Sequence, residues 1–192
     1  MAPDPHKLLA WKFPDIEHAY TDKDTMLYAL GVGCGSDPEE PGDLKFVYER
    51  GLVGLPTMAV VLAYPGNWLE SQESTADYSK VLHGEQMLTL HRPLAPSGTV
   101  IGRTRNLDLL DKGKDKGAVL FTEREIIDKA SGERIATMRS TAMLRGDGGF
   151  GGKAGPQPPP HELPRSAPAR HVDIKVLPNA ALVYRLSGDR NP

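Results

Sequence analysis

Few residues of this chain combine a type and a setting that suit chemistry. His83-Gly84 stands just ahead of a run of alternating polarity, where a glycine lets a ligand approach the main chain closely. Lys112 lies in a tight Asp111-Lys112-Gly113 turn, and its mobile ammonium suits a phosphate or an amide carbonyl. Gly188-Asp189 follows a short helical run; glycine fits the position just past a helix C-terminus and leaves a carboxylate beyond it. Glu49 and Glu85 are carboxylates that can exchange a proton or brace a neighbouring loop. His6, His18, His91, His161 and His171 show no metal-ligand spacing, and the single cysteine, Cys34, argues against a cysteine zinc site and excludes an intrachain disulfide. No metal is expected. The tract Gly146 to Gly152 lacks the Lys-Ser/Thr ending of a phosphate loop, and Trp11 and Trp68 show no stacking pattern for nucleic acid.

The bulk composition narrows the ligand classes further. Across 192 residues, 23 basic and 25 acidic side chains leave a net charge of −2, so no global field draws the chain to nucleic acid or an anionic membrane. An anionic ligand has to be captured locally. The hydrophobic share of 39% is enough for a packed core, and no stretch approaches the roughly 20 apolar residues of a membrane span. With no apolar region behind a basic start, the expectation is a soluble intracellular protein.

Several elements must position these residues. Thr21 followed by Asp24 is a capping-box variant, and Met26, Leu27 and Leu30 form one face of the helix it starts. A short apolar piece runs from Leu44 to Tyr48. A second helix is expected from Pro56, with Met58, Val61, Leu62 and Tyr64 available for burial before Pro65-Gly66 ends it. From Gln86 the period becomes two-fold: Met87 to His91, Val100 to Leu110, Ala118 to Ile127 and Ile135 to Leu144 are four strand-like runs joined by turn chemistry. In the third, Arg124 and Thr122 share a face with Leu120 and Ile126. An antiparallel meander in an α+β layer arrangement follows. Residues 146–171 hold six glycines and six prolines and read as a linker between an N-terminal domain, 1–145, and a further unit beginning at 172. In that unit Val172, Ile174 and Val176 alternate as a strand would, and Pro178 opens a helical run through Leu186.

The segment Ala181 to Pro192, ALVYRLSGDRNP, resembles the opening of the hydratase signature of MaoC-type (R)-specific enoyl-CoA hydratases, Y-R-x-S-G-D-x-N-P-L-H. Tyr184, Arg185, Ser187, Gly188, Asp189, Asn191 and Pro192 match in order, and the Leu-His that completes the signature would fall after Pro192. The runs Tyr28 to Gly33, Asp43 to Glu49, Leu55 to Thr57, Val81 to Gln86, Leu110 to Gly113 and Gly148 to Lys153 are similar to the N-terminal half of the larger members, as in the hydratase region of peroxisomal multifunctional enzyme type 2. The resemblance implies the first half of a tandem double hot-dog, each copy an antiparallel sheet wrapped on a central helix that is short or missing in this copy. The chain would then be the N-terminal half of a longer protein, with 172–192 the start of the second, catalytic domain.

The function implied is a lyase that interconverts trans-2-enoyl-CoA and (3R)-3-hydroxyacyl-CoA, in fatty-acid β-oxidation or in the supply of (R)-hydroxyacyl units, without metal or redox cofactor, as a homodimer. Asp189 would be the catalytic carboxylate, paired with the histidine beyond Pro192, and Asn191 would position water or substrate. His83, Gly84, Lys112, Arg190 and Pro192 would contact the acyl-CoA, with Glu49 and Glu85 as structural support. The compartment would be the peroxisome in a eukaryote and the cytoplasm in a bacterium. A different class stands beside this one: a non-catalytic hot-dog subunit that binds acyl-CoA and completes the site of a partner chain. A thioesterase would need a carboxylate on the central helix, and Thr57 to Tyr64 contains none.

Overall fold

The computed structural model describes residues 4–37, 39–156 and 162–189. Its frame is one antiparallel sheet of five strands, β1 (Ile16–Tyr20), β2 (Val81–Leu90), β3 (Gly98–Asp111), β4 (Ala118–Asp128) and β5 (Arg134–Leu144), in the order β1-β3-β4-β5-β2. The central three form the expected meander, closed by tight turns in which Lys112 N–H donates to Gly117 O and Asp128 N–H to Glu133 O. The first expected run, Met87 to His91, does not lead into it. β2 pairs with β5 rather than β3, which puts it on the far edge, and the opposite edge is β1, too short to stand out in the sequence.

The two faces of the sheet differ as period-two alternation requires. Outward, Glu123 lies directly opposite Arg105 and Arg139, whose Nε atoms approach its carboxylate at 3.0 and 2.8 Å, and Glu125 pairs with Arg134 at 2.9 Å. Inward, Val100, Ile126, Ala136 and Met138 are buried beneath a 3-10 turn, Pro56–Val60, that contributes Met58 and Ala59, with Leu62 close behind. This turn is all that forms of the helix expected from Pro56; the chain is carried on by tight turns through Ala63, whose φ of 46° is outside the helical range. Of the side chains expected to be buried there, Tyr64 is instead half exposed.

Helix α1 (Pro5–Leu9) is capped by the Asp4 carboxylate and buries Leu8 in a second cluster with Leu69, Leu109, Leu120 and Leu144. Helix α2 (Asp22–Gly31) has the expected capping box, Thr21 N–H donating to Asp24 at 2.8 Å and Asp24 N–H to the Thr21 hydroxyl at 3.4 Å. Its buried face, however, is Thr25, Tyr28 and Ala29. Leu30 is exposed and Met26 and Leu27 only half buried, because the residues at i, i+3 and i+4 that reach the core include a threonine whose hydroxyl donates to Pro96 O at 2.7 Å. The apolar piece near Leu44 belongs to α3 (Pro41–Val47).

The glycine-rich tract is not slack where it leaves the sheet. Asp111 accepts main-chain N–H bonds from Gly113, Gly149, Gly151 and Gly152 at 2.9, 2.7, 2.7 and 3.2 Å, and its own N–H donates to Lys153 O at 2.9 Å. Phe150 packs on the second cluster, and buried Asp147 accepts from Asp77 N–H. So the first eight residues expected as linker are folded onto the sheet end, because a carboxylate gathers several donors that have no other partner. Beyond them, Val172, Ile174 and Val176 form no strand and are exposed. Helix α4 (Ala180–Tyr184) then docks on α2, where a side chain at Gly31 would meet the Tyr184 backbone at 3.1 Å.

Two outcomes are expected. The bonds from Gly149, Gly113 and their neighbours hold the Asp111 carboxyl below its ordinary range. Its stabilisation is therefore present above the unfolded value of about 3.9 and lost as pH falls through the lower folded value. Asp111→Asn lowers Tm by several degrees at pH 7, and the gap to wild type narrows below about pH 4; a gap unchanged at pH 2 in thermal melts would mean that the charge is not what gathers the glycines. In limited trypsinolysis, exposed Arg165, Arg170 and Lys175 are cut before any site between Gly98 and Lys153. First cleavage inside the sheet would contradict this packing.

Candidate functional site

Where a longer helix would lie across the sheet, the short turn leaves a cleft of about 520 Å³. One wall is the segment from Val60 to Leu69. The floor is the inner face of the sheet: Thr104 of β3, Leu120, Thr122 and Arg124 of β4, Met138, Ser140 and Ala142 of β5, and Val81, His83 and Gln86 of β2. Tyr184, Gly188 and Asp189 close one end. Residues more than 100 positions apart in the chain, His83 and Asp189, thus line one space.

His83 is brought there by a bulge. The register of β2 against β5 shifts between His83 and Glu85, and a Cβ at Gly84 would sit 2.5 Å from the Thr141 hydroxyl. The extra residue resets the alternation. His83 and Gln86, three apart, both reach the cleft, and Glu85 between them is exposed outside it. His83-Gly84 therefore lies within the first long strand rather than ahead of it.

Asp189 is set by α4. Tyr184 packs against Tyr28 with ring centroids 6.0 Å apart, a 3-10 turn spans Arg185–Ser187, and Gly188 at φ 110° turns the chain back so that Asp189 reaches the cleft at its exposed rim. Burial, then Tyr28, then Asp189 push the Tyr184 phenol up. Tyr64 on the opposite wall is raised by burial, drawn down by Arg124 and raised by Asp189, so its hydroxyl feels both charges.

The other anticipated residues are not gathered here. Lys112 does not line the cleft; its Nζ donates to Ala154 O at 2.8 Å beside the glycine segment. Glu49, in the bend after α3, is exposed and does not line the cleft. Arg190, Asn191 and Pro192 lie outside the described residues. Among the described residues, no three His, Cys, Asp or Glu side chains cluster closely enough to hold a metal ion, and no helix is long and apolar enough to cross a membrane.

Arg124 was given no role from sequence. It is 7% exposed, donates through Nη2 to Val60 O and lies with its guanidinium carbon 5.3 Å from the Tyr64 ring centroid. Nη1 is buried and has no hydrogen-bond partner among the described residues. Burial pulls its pKa down to about 10, which still leaves it charged at neutral pH. The signal was present in the sequence as a cation on the face that also carries Leu120 and Ile126.

Comparison with known proteins agrees with this architecture. The chain is 38% identical over its whole length to 3-hydroxyacyl-thioester dehydratase Y of Mycobacterium tuberculosis, of which it covers 65%. It is 35% identical over 96% of its length to enoyl-CoA hydratase 2, peroxisomal, of Arabidopsis thaliana, covering 64% of that protein. The chain therefore spans just under two thirds of these relatives. Among solved structures, the MaoC-like dehydratase from Phytophthora capsici superposes with a TM-score of 0.79 at 30% identity, over 98% of this chain and 65% of the other. Full-length peroxisomal multifunctional enzyme type 2 from Drosophila melanogaster gives 0.71 at 32%, over 93% of this chain and 31% of that one. These are hot-dog proteins, and the sheet and reduced helix match that fold. The model of the MFE-2 hydratase 2 N-terminal domain matches residues 18–146, and the chain belongs to that family.

Proposed function

We propose that the protein hydrates trans-2-enoyl-CoA to (3R)-3-hydroxyacyl-CoA and catalyses the reverse dehydration. The observation that carries this reading is the meeting of Asp189 and His83 on one cleft that the shortened helix leaves open. Hydration needs a base to take a proton from water as its oxygen attacks C3, an acid to protonate C2, and donors for charge building on the thioester oxygen. Asp189 is the base, Asn191 orients the water, and a histidine completing the signature returns the proton. The acyl chain enters the cleft past His83 and Gly84, and Arg190, Pro192 and Lys112 meet the CoA portion. The reaction is redox-neutral, so no electron carrier takes part, and we assign no metal.

Two features support further partners. Among the described residues no strand lies beside the outer edge of β2, and Val172, Ile174, Val176, Leu182 and Leu186 are exposed. Bare strand edges and rows of exposed aliphatic residues ask for cover. We assign that cover to a second hot-dog domain, and dimerisation to the assembled pair.

In the full-length protein, Asp189→Asn keeps the size of the side chain and removes the base. Hydration falls by at least about 10²-fold with acyl-CoA affinity little changed, read from an enoyl-CoA hydration assay beside a binding titration. Full activity of this variant would remove Asp189 from the mechanism. Lys112→Ala raises KM and leaves kcat nearly constant, because a contact remote from C2 and C3 is the same in ground and transition states. A loss confined to kcat would contradict a CoA contact.

A further inference from the structure

The hydratase chemistry leaves Arg124 unused. A guanidinium at 7% exposure on the inner face of a sheet is costly to desolvate, and among the described residues no carboxylate forms a salt bridge with it. One structural job is visible: Nη2 caps the carbonyl of Val60 at the C-terminal end of the truncated helix, where partial negative charge gathers. That job occupies one nitrogen. Among the described residues Nη1 remains buried without an acceptor, and an unmet charged donor is among the more expensive features a core can carry.

The surroundings suit a polar guest. In register, Arg124 stands between Thr104 and Met138, and Thr122 faces Ser140 on the next inward row. Thr104, Thr122, Arg124 and Ser140 all line the cleft, so its floor carries a polar stripe where a purely hydrocarbon tail would gain little. The cleft also has a direction. Asp189, where C2 and C3 must lie, is exposed at the rim, and Arg124 is buried on the floor. A group that meets Arg124 therefore lies deeper in the cleft than one beside Asp189 at the rim, which favours the acyl end of the substrate over the hydrated CoA phosphates.

Resting on the hydratase reading, we propose that Arg124 is a specificity-determining residue that binds a carboxylate at the far end of the acyl chain, so that thioesters of α,ω-dicarboxylic acids are favoured substrates. The carboxylate supplies the acceptor that Nη1 lacks and neutralises the buried cation, and the threonine and serine hydroxyls beside it can donate to its second oxygen.

The test uses the full-length protein and two trans-2-enoyl-CoA substrates of equal chain length, one ending in a methyl group and one in a carboxylate. Wild type favours the carboxylate substrate in kcat/KM. Arg124→Met, which fills similar volume, lowers kcat/KM for the carboxylate substrate by about 10- to 100-fold and leaves the methyl substrate within about 3-fold. Equal losses on both substrates would reduce Arg124 to its cap on Val60, and a preference that survives the substitution would place the recognition elsewhere. Should Arg124→Met fail to fold, wild type alone decides, because no preference for the carboxylate substrate overturns the proposal. If wild type hydrates neither substrate, the hydratase reading fails. The site is then judged by titrating the saturated ω-carboxyacyl-CoA against the acyl-CoA of equal length: tighter binding of the former supports it and equal binding refutes it.

Discussion

A sheet face carrying Val100, Ile126, Ala136 and Met138 has to be covered, and Pro56–Val60 is too short to cover all of it. Most of the molecule follows from that mismatch. Met58, Ala59 and Leu62 cover one half. Ala63 N–H donates to His18 Nδ1 at 2.9 Å, which ties the end of the turn to β1, and Tyr20 reaches Ala95 O at 3.0 Å to close the same side. The other half stays open, and its exposed inner face is where polar side chains appear among aliphatic ones. A hydrophobic sheet under a full helix would have no room for Arg124; here the missing helical turns create both the vacancy and the carbonyl at Val60 that the arginine caps.

Local rules made much of this legible in advance. Thr21 and Asp24 announce a helix start through a reciprocal bond that needs only two residues three apart, and the alternation in β3, β4 and β5 is long enough to identify strands and their inner face. What alternation cannot carry is neighbour choice: nothing in Met87 to His91 says whether it borders β3 or β5. The face of α2 was misread because Leu30 counts as apolar in any sequence pattern, while Thr25 is buried by a hydroxyl bond to a distant loop. The exposed run at Val172, Ile174 and Val176 has the strand period but no partner strand among the described residues to pair with.

The site was legible at its ends more than on its floor. Asp189 and His83-Gly84 stood out through matched motifs, and Asp189 and His83 line the cleft. Lys112 and Glu49 stood out in the same way and do not, because motif similarity carries no information about which surface a turn will face. Gly84 illustrates the reverse: its importance is in the phase of a strand. Were the same residues to run as a regular strand without the bulge, Glu85 rather than Gln86 would take the inward position beside His83, and a carboxylate would enter the cleft that already holds Arg124.

The Asp111 clamp fixes one end of the path that brings Asp189 to the cleft, and the docking of α4 on α2 fixes the other. The chain between these two anchors is a tether held at both ends, so the Asp189 carboxylate reaches the cleft as an intramolecular group with an effective concentration set by the tether. Loop closure depends only weakly on length, about 0.6 kcal/mol for each doubling. The tether can therefore drift in sequence and length with little thermodynamic consequence for the site, while the aspartate that anchors it and the glycine that receives Tyr184 cannot.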